Sequence, residues 1–159
     1  MTWTNNDGLY IRFGTEKPVV SLGGESSTDG NNRVVTVDFA FSDLAATGTE
    51  KIIAEGVIIP DGAVVKSASL HVSTAFVGAT ATLTLGLIDT DRSTAYDADG
   101  IDAAIAVAAL TAGATIACDG AVVGNLISNS GTGVMITATE GTAAFTAGVA
   151  QLVVEYYIP

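Results

Sequence analysis

Five carboxylates fall within fourteen residues in DTDRSTAYDADGID: Asp89, Asp91, Asp97, Asp99 and Asp102. Oxygen-rich loops of this kind bind calcium, a hard cation. An EF-hand needs a bidentate glutamate at its twelfth position. Counted from Asp89 that position is Gly100, and counted from Asp97 it is Ala108, so the motif fails. A calcium site of another geometry, held by Asp89, Asp91, Asp97 and Asp99, is the chemistry left to this stretch. The plainer reading is a solvated loop, with Asp99 and Asp102 placed where a helix N-terminus favours negative charge.

The other reactive side chains are isolated. His71 is the one histidine, so the usual zinc ligand sets lack their donors. In SASLHVST it alternates with Ser67, Ser69 and Ser73, which strand geometry spaces by roughly 7 Å along one polar face. No G-x-S-x-G elbow supplies a nucleophile, and His71 reads as a surface or interface residue. Cys118, the single cysteine, has no disulfide partner and reads as a small buried residue near a turn. The glycine pairs match no phosphate or dinucleotide fingerprint. A glycosidase needs two carboxylates that converge only in space, and aromatics to stack sugars are scarce at 6%. The chain does not read as an enzyme.

Charge narrows the partners. The formal net charge is −11, from 17 acidic and 6 basic residues. Nucleic acid and anionic membrane surfaces both require clustered Lys and Arg, so neither is an expected partner. No Lys or Arg follows Arg92. Sheets commonly guard their edges with lysine, so the edges of the later half are expected to be covered by another copy of the chain. The opening MTWTNNDG lacks the basic and apolar regions of a signal peptide, and no run is long and apolar enough to span a bilayer. The expectation is a soluble protein.

The elements that must hold these residues are strands. At 159 residues, with 48% hydrophobic residues drawn mainly from Ala, Val, Ile and Leu, the chain can form one domain with a real core. The stretch from Val57 to Ile88 alternates twice around a Gly/Ala turn. Ala68, Leu70 and Val72 share one face, and Ala81, Leu83, Leu85 and Leu87 another, which predicts a half-buried antiparallel hairpin that a second sheet must cover. Pro60-Asp61-Gly62 suits a type I turn. Val35, Val37, Phe39 and Phe41 predict a strand over 33–41. SDLAATGTEK predicts a connection with a single helical turn, and a further strand is expected near 52–59. Ile101, Ala104, Ile105 and Ala108 stand at helical spacing and predict one short helix over 101–110. Strand texture returns in ATIACDGAVVG, then in 134–140 and 149–158 as a closing hairpin. About eight strands with short connections predict an all-β single antiparallel β-sandwich of jelly-roll type over 33–159. Residues 1–32 are Gly-rich and carry Trp3, Tyr10, Arg12 and Phe13. They read either as a strand and loop or as an extended N-terminal arm whose aromatics anchor on a neighbour.

The phrases NNRVVTVDFAFSDLAATGT, VIIPDGAVVKSASLHVSTAF, ATLTLGLIDTDRSTAYDADGID and TAAFTAGVAQLVVEYYIP together resemble small tailed-phage virion proteins that decorate or cement the capsid, best represented among cyanophages and marine phages. The resemblance covers residues 31–159 and carries no residue motif for contacts. It implies a β-sandwich without enzymatic activity, forming homo-oligomers, often homotrimers, on the outer surface of the phage shell. It further implies the major capsid protein as partner, and assembly in the host cytoplasm. The alternative from another class is a jelly-roll receptor- or carbohydrate-binding module of a tail or fibre, with Tyr96 as the aromatic best placed in a loop.

Overall fold

The computed structural model describes residues 2–4, 10–12, 32–129 and 131–159. Two short strands, β1 (Thr2–Thr4) and β2 (Tyr10–Arg12), pair with one another as a separate two-stranded sheet. Eight strands form the body: β3 (Asn32–Ala40), β4 (Lys51–Ile52), β5 (Val64–Val77), β6 (Thr82–Asp89), β7 (Ala95–Ala106), β8 (Thr115–Ala117), β9 (Val134–Gly141) and β10 (Ala147–Tyr157). They make two four-stranded sheets, ordered β3-β10-β5-β8 and β4-β9-β6-β7.

The pairing is nested. β3 pairs with β10, β4 with β9, β5 with β8 and β6 with β7, all antiparallel. This is one long hairpin, bent so that β10 also meets β5 and β6 also meets β9. Rolling the hairpin up buries its apolar faces against each other, which is the jelly-roll solution to the edge problem. Leu70 and Leu152 from one sheet and Leu83, Leu85, Leu87 and Ile136 from the other are fully buried between them. Phe39, Phe76 and Phe145 cluster in the same core, with Phe76 at 6.3 Å from Phe39 and 5.0 Å, edge-on, from Phe145.

The predicted inward residues of β3, β5 and β6 hold, with Val35, Val37, Phe39, Ala68, Leu70 and Val72 all inward. The exception is Phe41, expected on the same face as Phe39, which starts the 3-10 segment and is 37% exposed. The partners of these strands differ from expectation. β5 and β6 do not form a hairpin; they lie in opposite sheets, as do β9 and β10, so neither expected hairpin exists. Alternation fixes which side chains face inward, but the choice of neighbour comes from packing one sheet on the other. Of the eight body strands, β6 and β7 alone are consecutive partners within one sheet. The expected strand at 52–59 shrinks to β4 plus a single bridge from Ile59 to Val134. The turn at Pro60 forms one residue later than the expected type I turn: Ala63 N–H donates to the Pro60 carbonyl at 3.2 Å, and Gly62 takes the φ of +79° that a type II turn needs. The expected turn after β3 is a short 3-10 segment, Phe41–Asp43, whose Asp43 carboxylate accepts from the Ala40 N–H at 2.9 Å.

The predicted helix over 101–110 and the predicted loop over 89–102 are both replaced by β7, followed by a 3-10 turn at Val107–Ala109. β7 carries the cause. Asp102 pairs with Leu85 and Ile105 with Leu83, so β7 holds one extra residue there, beside Ala104 at φ +49°. The bulge lets Asp102 and Ile105, three apart, both oppose inward leucines. Ile101 and Ile105 are both buried at a spacing of four that one face of a strand and one face of a helix share. Between Asp97 and Asp102 a larger bulge lies over β6, where Gly86 leaves room: a Cβ there would collide with the Ala98 backbone.

Candidate interaction surface

The outward face of the β3-β10-β5-β8 sheet is built from the alternate residues left over by the core. Strand register sets Asp38, Gln151, His71 and Thr115 side by side across all four strands. Gln151 Nε2 donates to Asp38 Oδ1 at 2.8 Å, while His71 has Nδ1 3.0 Å from Thr115 Oγ1 and Nε2 3.2 Å from Ser69 Oγ. The row borders a shallow hollow of about 370 Å³ that Ser73 and Val149 also line. His71 is thus a half-buried member of a hydrogen-bonded surface row, as its alternation with serines predicts. No nucleophile–base–acid relay is present in it, because the row ends on a threonine hydroxyl and an amide-tied carboxylate.

At the end of this sheet, beyond the polar row, register places Val149 opposite Ala40, just before Phe41, and Ala147 opposite Val77. Phe41, Val77 and Val149 are 37%, 53% and 38% exposed, so an apolar end adjoins the polar row. Exposed apolar groups rimmed by polar ones mark contact surfaces. The last cation in the sequence, Arg92, pairs with Glu55 at 2.9 Å between two exposed side chains, a contact that adds little stability.

The acidic stretch does not converge. Asp91 folds back on its own turn, accepting from Ser93 N–H at 2.8 Å, Thr94 N–H at 2.9 Å and Thr94 Oγ1 at 2.8 Å. These backbone donors hold its carboxyl down at about 2. Asp97 lies in the β7 bulge beside Asp99, and burial together with that neighbour pushes its carboxyl up. Asp89 closes β6, with Oδ1 buried and unpartnered. Among the described residues, no three His, Cys, Asp or Glu side chains are placed to hold a metal ion. Asp89, Asp91, Asp97 and Asp99 therefore do not make one cage.

Within this stretch, Asp102 is the carboxylate that enters the interior, at 7% exposure. Burial and the nearby Asp119 raise its carboxyl, against the opposing hydrogen bond of the Cys118 thiol. Cys118 is free and buried, and its thiol is pushed up to about 12 by burial and by Asp102. Because the folded state holds Asp102 above its ordinary value, its contribution favours folding most below about pH 4 and is lost as pH rises through the raised value. The thermal midpoint is expected to fall on going from pH 4 towards neutrality, and to fall less in Asp102→Asn. Parallel midpoint curves for the two proteins would show that Asp102 is not the cause.

Trp3, Tyr10 and Arg12 lie in the β1–β2 pair, with Trp3 opposite Ile11, Thr4 opposite Tyr10 and Thr2 opposite Arg12. Phe13 lies outside the described residues. Tyr96 is not a loop aromatic: it belongs to β7, packs partly on the core, and its hydroxyl accepts from the Ser128 N–H at 3.1 Å. Its ring is not a free platform for a sugar, and Tyr156 is likewise buried. The feature that sequence reasoning missed is the outer edge of β3, which pairs with no other described strand and becomes visible only once strand order is known.

Comparison with known proteins finds no matching family model and no matching curated protein. Solved structures do match. A chain of the cyanophage Pam1 capsid asymmetric unit superposes with a TM-score of 0.57 at 21% identity, over 93% of this chain and 98% of that chain. A chain of the capsid of Ralstonia phage GP4 superposes with a TM-score of 0.54 at 17% identity, covering 91% of each. At these identities the likeness is one of fold, running nearly end to end in both.

Proposed function

We propose that this chain is a structural, non-enzymatic virion protein that decorates a phage capsid from outside and stabilises it. The observation that carries the proposal is the near end-to-end likeness to chains of two phage capsids. The surface supports it: an apolar end beside a hydrogen-bonded polar row, on a sheet face that also carries Asp38 and Glu155, suits contact with protein. The body associates with sister copies, as trimers by the family resemblance. The N-terminal segment with Trp3, Tyr10, Arg12 and Phe13 grips the major capsid protein. Many weak contacts repeated over a shell hold through avidity.

The test is addition of the purified chain to phage heads that lack it, followed by imaging and heat challenge. Added density on the outer surface and a higher temperature of genome release are expected. Deleting residues 1–22 is expected to leave a folded oligomer whose shell binding is weakened by about a hundredfold, the scale on which lost multivalency acts. Undiminished decoration by the truncated chain would remove the arm from the proposal; no decoration by the intact chain would remove the proposal itself.

A further inference from the structure

Four strands lie at sheet edges: β3 and β8 in one sheet, β4 and β7 in the other. Edges with unpaired N–H and C=O groups recruit further strands unless they are blunted by shortness, bulges, proline or lysine. Three of the four are blunted. β8 has three residues and β4 two. β7 is broken by three register shifts against β6. β3 has none of these protections. It runs for nine residues, NRVVTVDFA, without proline or lysine, and its register with β10 is unbroken from Asn32 to Ala40. Among the described strands β10 is its one partner.

We propose that β3 is a docking edge for β3 of a second copy, joined antiparallel about a two-fold axis into one continuous eight-stranded sheet. A two-fold perpendicular to the sheet keeps both buried faces on the same side, so a residue can oppose only residues of its own face. The register of fullest overlap for a strand over 32–40 puts Thr36 on the axis, opposite the partner's Thr36. Val35 then opposes the partner's Val37 and extends the apolar row of both cores, while the threonine pair lies on the outer face, a favourable cross-strand match. Charge agrees with this register. The strand holds one base, Arg33, and one acid, Asp38. Asp38 faces the partner's Val34, and the two Asp38 carboxylates stay about 13 Å apart along the seam. No like charges oppose, although the whole chain carries −11. The contact is pairwise, so in a decorated shell it would link copies of neighbouring oligomers. It needs no shell to form, and its failure is therefore distinguishable from failure of the decoration proposal.

The test uses the full chain with variants at two exposed positions, Val34 and Thr36. Thr36→Cys brings two sulfurs together on the axis, where paired strands lie about 4.5–5.5 Å apart, within disulfide reach. Val34→Cys leaves its two sulfurs about 13 Å apart, out of reach. Native Cys118 stays silent, because its thiol is buried and held protonated. Mild oxidation is expected to give disulfide-linked dimers of Thr36→Cys and none of Val34→Cys. Thr36→Lys, which sets two ammonium groups face to face, is expected to raise the dimer dissociation constant in sedimentation about tenfold. Cross-linking of Val34→Cys in preference to Thr36→Cys overturns the register. Absence of cross-linking in folded Thr36→Cys overturns the contact. Loss of shell decoration by Thr36→Lys with unchanged self-association assigns the edge to a strand of the shell protein, and overturns the proposal as well.

Discussion

Phe76→Ala is expected to lower the free energy of unfolding by about 3–5 kcal/mol, the range for emptying a buried phenylalanine site. Phe76 is 4% exposed on β5. Its ring stands between Phe39 of β3 and Phe145, which leads into β10, while its N–H donates to the Leu110 carbonyl at 3.0 Å. It therefore ties three strands of one sheet to the connection that follows β7. Natural domains hold about 5–15 kcal/mol in total, so the loss is a large fraction of stability. At this size it should lower the thermal midpoint by about 6–20 °C. Urea unfolding measures it, with Thr74→Ala, an exposed change on the same strand, expected within about 0.5 kcal/mol of the parent. A loss below 1 kcal/mol for Phe76→Ala would mean that the aromatic cluster does not hold the sheet together.

What the sequence discloses and what it hides divide along a physical line. Period-2 alternation is a property of each strand alone, so the inward faces of β3, β5 and β6 could be read from residue order. Strand partners are a property of the rolled sandwich. β5 and β6 look like a hairpin because a short Gly/Ala turn joins them, yet that turn carries the chain from one sheet to the other. The misread helix over 101–110 has a different origin: Ile101 and Ile105, four apart, fit one face of a strand as well as one face of a helix, so their spacing did not decide between the two. For function, His71 was legible as a residue of a polar strand face and Cys118 as a small buried one. The acidic stretch nevertheless looked like one loop. In the fold Asp91 serves a turn, Asp97 and Asp99 a bulge, and Asp102 the interior, roles that depend on register with β6. The surface could not be read in advance, because the adjacency of Phe41, Val77 and Val149 comes from pairing across three strands.

Gly148→Ala is expected to cost about 3 kcal/mol for two separable reasons. Gly148 has φ +139°, a region that side chains rarely adopt, and holding alanine there costs about 1–3 kcal/mol. A Cβ at this position would also collide with the Phe76 ring, and overpacking of that kind costs about 1–3 kcal/mol. The double variant Phe76→Ala/Gly148→Ala separates the two. Without the ring the collision disappears while the backbone cost stays, so the double variant should be more stable than the sum of the single changes by about 1–3 kcal/mol. Strict additivity would mean that the ring and the glycine do not constrain each other. The coupling bears on the surface too, since β10 shifts register against β5 between Ala147, Val149 and Ala150. That bulge, with Gly148 at its centre, sets Val149 outward beside Phe41 while Ala150 turns into the core. In a Gly148→Ala chain that still folds, exposure of Val149 is expected to change while the His71 row keeps its hydrogen bonds. Shell binding that weakened in such a variant would then report on the apolar end of the sheet rather than on the polar row.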